Sequence, residues 1–268
     1  NLCLHVETEN GKLYYELSRN GKPILDKSHL GFILKEDTLA GHLEITEALH
    51  HSFSGTWEQI WGEDRIVENN YHEMTIRVQK TSAPKRKFNV VFRLFNDGFG
   101  FRYEFPEQEA LKDFVIMDEL TEFALTGDHK AWSIPYEAHF YEALYEASPV
   151  SKLGWVSTPL TMETNDGLFL SIHEANLTDY AAMNLIPKEG SMTLKANLTP
   201  WSTGEKVFMK APGVTPWRTM IVAESAGDLL LSRLMLNLNE PCRIQDTSWI
   251  QPGRYIGIWW TYHMHKHT

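Results

Sequence analysis

HVETENGKLYYELSRNGKPI, residues 5–24, decides the fold class, because it reads as two hairpins in succession. His5 to Glu7 and Leu13 to Leu17 flank Asn10-Gly11, and Leu17 and Ile24 flank Asn20-Gly21. Both dipeptides tolerate the left-handed backbone that a type I′ turn requires at its two central positions. The chain therefore opens as a β-meander. Working outward, runs rich in β-branched and aromatic residues recur at Thr75 to Val78, Phe88 to Phe95, Phe99 to Phe105, Leu168 to Ile172 and Thr219 to Ala223, separated by Asn-Asp-Gly, Pro or Gly punctuation. Helical spacing is scarce. Ala226 to Leu236 carries it behind Ser225, a candidate cap, and Thr178 to Met183 is expected to form a single turn. Ser82 to Lys87, basic and Pro-bearing, reads as an exposed turn. The sum is an all-β, antiparallel sandwich.

Composition narrows the function. The chain has 268 residues, 43% of them apolar and 12% aromatic, enough for a large single core. A formal net charge of −10 argues against nucleic acid as a partner, since that affinity rests on Lys and Arg displacing counterions at phosphates. No apolar run approaches the length of a transmembrane helix. The nine Trp and ten Tyr suit sugar ligands, whose apolar C–H faces stack on aromatic rings, although core packing is the commoner use of any one such ring. Cys3 and Cys242 are too few for a disulfide framework, and the sequence does not say whether they pair.

The last segment has a different pattern. Ser248 to Gly253 supplies turn chemistry, and Tyr255 to Trp260 then reads as a strand apolar on both faces, which needs partners on both sides. The expected division is residues 1–250 as a sandwich and 251–268 as the start of a further unit.

Four segments taken together, NDGFGFRYEFP (96–106), SIHEANLTDYAAMNL (171–185), TPWRTMIVAES (215–225) and WIQPGRYIGIWW (249–260), resemble glycoside hydrolase family 97, bacterial α-glucosidases and α-galactosidases. The resemblance implies an antiparallel β-super-sandwich, galactose mutarotase-like with few short helices, followed by a catalytic (β/α)8 barrel whose first strand would be Tyr255 to Trp260. It also implies calcium as cofactor, with Glu174 in His173-Glu174-Ala175-Asn176 as the sandwich's ligand. Such a cation takes six to eight oxygens, so several segments must converge on it. An α-linked oligosaccharide would be the substrate, the barrel of the same polypeptide the partner, and the periplasm or another secreted compartment the location. The catalytic carboxylates would lie on the barrel, so no catalytic residue is expected within the chain.

Each candidate has a plainer reading. A lone Glu at a strand end is more often a surface or capping residue. His173 should face away from Glu174 by strand alternation and serve structure. Asp97-Gly98 lacks the helix of a nucleotide loop and reads as a hairpin turn. Arg102 is either a structural ion pair or a ligand contact. Trp259 and Trp260 at the end of the barrel strand and His263 just after it are candidate sugar contacts, with packing as the alternative for the tryptophans and a disordered end for the histidine. His263, His265 and His267 could also bind a transition metal incidentally. Trp201, Trp217 and Trp249 lie beside Pro or turns and could face a domain interface. Two other functions fit the same fold: a mutarotase-like sugar isomerase or epimerase, and a non-catalytic carbohydrate-binding module.

Overall fold

The computed structural model describes residues 1–138 and 142–259. Its opening meander is as the sequence predicts. Leu2–Glu9, Lys12–Arg19 and Lys22–Leu30 pair antiparallel in order. Asn10 and Gly11 have φ of 51° and 74°, and Asn20 and Gly21 51° and 79°, the left-handed pairs of type I′ turns. The meander edges a seven-stranded sheet that continues through Glu122–Leu125, Thr193–Leu198, Met183–Pro187 and Val156–Ser157.

A ten-stranded antiparallel sheet faces it. Its order is Glu146–Pro149, Lys130–Ser133, Leu160–Glu163, Phe169–Ala175, Trp217–Ala223, Gly98–Phe105, Lys87–Phe95, Ile66–Lys80 and Leu43–Glu58, with Gly213–Val214 added beside Gly98–Phe105. A four-stranded sheet of Val207–Lys210, Asp113–Glu119, Phe32–Leu34 and Thr38–Leu39 closes one side.

Alternation decides what lies between the sheets. Leu170 and Ile172, with Met220 and Val222, point inward and join one core with Leu13, Leu17, Leu185 and Leu194 of the opposite sheet. Tyr15 crosses the gap, its ring centroid 5.9 Å from that of Phe92 and 5.1 Å from that of Phe101, and its buried hydroxyl donates to the Glu122 carbonyl at 2.7 Å. Gly98 is required where two strands meet. A Cβ there would sit 2.3 Å from the Met220 carbonyl oxygen, so only glycine lets the Asp97-Gly98 hairpin close against the Trp217–Ala223 strand.

The outer face of the large sheet carries a second, smaller cluster of Val91, Phe95, Ala175, Trp217, Leu234 and Leu238. Its cover is the short helix Leu234–Asn237 with Leu238 after it; Ala226–Leu231 precedes it and buries none of its own residues, so the one helical run of the sequence reading is broken here into two pieces. Ser225 caps the first, its Oγ accepting from the Asp228 N–H.

Two expectations need correction, and the apolar run at Tyr255 stands without the neighbours it requires. Thr178 to Met183 contains no helical turn: Asn176 and Asp179 adopt positive φ (54° and 48°), and Met183 already begins a strand. Tyr255 to Trp259 forms no strand and is exposed, Ile256 fully so, because among the described residues no strand edge lies against it; Trp260 falls outside the described residues. Trp217 is 1% exposed, packed with Leu234 and Leu238, so it belongs to packing rather than to an interface.

Candidate functional site

Glu174 is the penultimate residue of the Phe169–Ala175 strand and lies on its inward face, in the same alternation as Leu170 and Ile172. It therefore points between the sheets instead of outward from a loop, with 7% of its side chain exposed. Its register partner is Arg218, inward on the neighbouring strand and completely buried. Arg218 Nη1 donates to Glu174 Oε2 at 2.7 Å. The other oxygen, Oε1, accepts from the Met183 N–H at 3.0 Å, so the carboxylate is tied to the seven-stranded sheet as well.

Behind Arg218 sits Glu119, the last residue of the Asp113–Glu119 strand and also completely buried. It receives the rest of the guanidinium fork: Nε donates to Oε1 at 2.8 Å and Nη2 to Oε2 at 2.7 Å. Thr121 donates to Oε1 at 2.8 Å and Tyr180 to Oε2 at 3.0 Å, and Thr121 Oγ1 in turn bonds the Tyr103 hydroxyl at 2.7 Å. The three sheets thus meet in one polar cluster at one end of the sandwich.

The two carboxylates respond differently to their surroundings. Burial alone would raise Glu119, but the Arg218 charge and its hydrogen bonds, with those from Thr121 and Tyr180, hold it below the ordinary value. For Glu174 burial prevails over the weaker hold of Arg218 and raises it. Burial would lower Arg218, and the facing carboxylates reverse that. With both acids ionised the trio carries a formal charge of −1, and the exposed fraction belongs to Glu174.

Can this arrangement hold a calcium ion? Glu119 cannot contribute, since its oxygens are committed to Arg218, Thr121 and Tyr180. Glu174 can: each of its oxygens carries two lone pairs and has one named partner. The excess negative charge suits a cation, yet one carboxylate falls far short of six oxygens. The described residues therefore fit one edge of such a site, the remaining ligands coming from elsewhere. Among the described residues a compact group with metal-ligand spacing occurs at His5, Glu7 and Glu16 on the outside of the meander, where Lys27 Nζ already lies 2.7 Å from Glu7 Oε1.

Asn239 links this end of the sandwich to the outgoing chain. Its Oδ1 accepts from the Asn176 N–H at 3.0 Å, two residues beyond Glu174, just after the last helix. The chain leaves the sandwich beside the carboxylate.

Other candidates fall out of the site. His173 faces away, its Nδ1 3.0 Å from Thr158 Oγ1, and burial lowers its pKa. Arg102 pairs with Glu104 at 2.8 Å and lies over the Trp217 ring at 4.7 Å, a structural role. Trp259 is exposed, and Trp260, His263, His265 and His267 lie outside the described residues. Trp201 and Trp249 are exposed in turns. Cys3 and Cys242 are both free and exposed. Sequence reasoning missed Arg218 and Glu119. A signal existed for the first, an arginine at an inward position of the apolar strand WRTMIVA.

Fold and site together define an all-β, antiparallel sandwich domain with a nearly buried carboxylate where its three sheets meet. The sequence profile of the family described as glycosyl-hydrolase 97 N-terminal matches residues 1–241, and the chain belongs to that family. A glycoside hydrolase family 97 enzyme from Pseudoalteromonas sp. strain K8, solved with acarbose and in a variant form with panose, superposes over 100% of this chain with a TM-score of 0.94 and 38% identity. A retaining α-galactosidase of Bacteroides thetaiotaomicron is 25% identical over 94% of the chain, and a probable retaining α-galactosidase of Streptomyces bingchenggensis 26% over 96%. The chain spans 42%, 39% and 41% of the Bacteroides, Streptomyces and Pseudoalteromonas proteins respectively.

Proposed function

We propose that this chain acts as the N-terminal sandwich of a glycoside hydrolase cleaving α-glucosidic or α-galactosidic bonds in oligosaccharides, and that Glu174 supplies one ligand of a calcium ion shared with a catalytic barrel. The carrying observation is the position of Glu174. It is the member of the buried charge cluster with an accessible edge, and it stands where Asn239 leads the chain out of the sandwich. The names of the α-galactosidase relatives and the acarbose and panose complexes of the Pseudoalteromonas enzyme support the substrate class.

In this reading the sandwich binds and orients. Glu174 would hold calcium with oxygen ligands from the barrel, and the ion would supply electrostatic stabilisation near the scissile bond. The acid and nucleophile or base that glycoside hydrolysis requires would come from the barrel, beginning near residue 251. A periplasmic or otherwise secreted location belongs to the same proposal.

Hydrolysis of nitrophenyl α-glucosides and α-galactosides tests it. Residues 1–268 alone should be inactive, and the full-length enzyme with Glu174→Ala should lose calcium affinity and most of its turnover. Robust hydrolysis by the isolated 268 residues would overturn the assignment. A mutarotase-like isomerase would instead accelerate the optical-rotation change of freshly dissolved galactose.

A further inference from the structure

We propose that Arg218 is a positioning residue for the cation site: anchored by Glu119, it holds the Glu174 carboxylate in one orientation before the ion arrives. The inference rests on the reading of Glu174 given above and adds to it the device that sets its geometry.

Geometry carries the argument. A guanidinium is planar, so a bidentate pair through Nε and Nη2 to Glu119 also fixes the direction of Nη1, which points at Glu174 Oε2. Glu119 cannot rotate, because Thr121 and Tyr180 each hold one of its oxygens and Tyr103 backs Thr121. Orientation is thus transmitted from the four-stranded sheet through Arg218, while Met183 N–H pins Oε1 from the seven-stranded sheet. A carboxylate held at both oxygens meets a cation already aligned, and binding need not then order it.

Energetics point the same way. Moving an ion out of water costs several kcal/mol even after relaxation, and apolar residues of similar volume often hold a protein together as well or better. Burying three charges between the sheets is therefore a poor device for cohesion alone. It does suit a ligand that must be ionised, aligned and overbalanced by one negative charge. A lysine would keep the charge of Arg218 without the fork, so charge and orientation can be separated by experiment.

The experiment is calcium titration by isothermal calorimetry on the full-length enzyme, with melting curves recorded in chelator. Arg218→Lys should bind calcium about 10- to 100-fold more weakly, the usual consequence of disturbing a residue behind a metal ligand. Turnover should recover at saturating calcium. Glu119→Gln, isosteric with the native side chain and free of the lysine change, should weaken calcium severalfold, because a less neutralised Arg218 competes harder for Glu174. A purely structural role predicts lower melting temperatures with unchanged calcium affinity in the folded variants, and that result overturns the inference. Glu174→Gln separates the two levels: if it leaves calcium binding intact, the reading of Glu174 itself fails; if it abolishes binding while the Arg218 and Glu119 variants do not, only the positioning role fails.

Discussion

Trp217 and Arg218 are adjacent in the chain and inhabit opposite faces of the same sheet. Arg218 lies between the sheets among carboxylates, its side chain completely buried. Trp217 lies outside, beneath Leu234 and Leu238, with Arg93 and Arg102 over its ring at 4.8 and 4.7 Å. Those outer arginines keep partial solvent access and pair with Glu73 and Glu104. The same residue type therefore serves two purposes. Inside, an arginine must be matched charge for charge; outside, it covers an aromatic face while its head stays partly hydrated.

The comparison is broken most directly by removing the inner charge. Arg218→Met should cost about 3–5 kcal/mol, because Glu119 is left buried without compensation. Urea denaturation measures it, and a loss below about 1 kcal/mol would place the inner arginine on the same footing as the outer ones. Tyr180→Phe removes one donor to the ionised Glu119 and should cost roughly 1.5–3 kcal/mol by the same method.

Acid titration sharpens the contrast within the inner cluster. Glu119 has a folded value below its ordinary 4.5, so its contribution is complete above that pH and is lost as pH falls through the folded value. Glu174 has the opposite sign. Its folded value is raised, so its burden on the fold is present at neutral pH and is relieved as pH falls through that value towards 4.5. Stability curves in chelator should show Glu119→Gln losing the steep acid decline and Glu174→Gln losing the relief at mildly acid pH. Identical curves for the two variants would refute the assignment of opposite shifts. The smallest effect belongs outside: Arg102→Lys keeps the charge but weakens stacking on Trp217 and should cost about 0.5–1 kcal/mol.

How much of this was legible beforehand differs between the same two faces. The hairpins at Asn10-Gly11 and Asn20-Gly21 were readable because a type I′ turn is a local demand on two residues. Strands such as Phe88 to Phe95 were readable because alternation and β-branching act over a few positions. Ser225 was readable as a cap for the same reason, although not the break after Leu231. The Tyr255 run, expected as a strand of a further unit, has no strand edge against it among the described residues, and a strand forms only beside a partner.

Glu174 was visible as a candidate through the resemblance of its segment, but its surroundings were not. Glu119 lies 99 residues from Arg218, and Glu174 lies 44 from it. No periodicity links such positions, and WRTMIVA shows only that a charge sits where an apolar side chain is expected. By itself, then, the sequence determined the turns, most strands, the all-β class and the family, since each rests on local preference or on motifs within one segment. Only tertiary structure decided that Glu174 faces inward and that one arginine joins two distant acids. Pairing of buried charges depends on which strand ends three separate sheets bring to the same place.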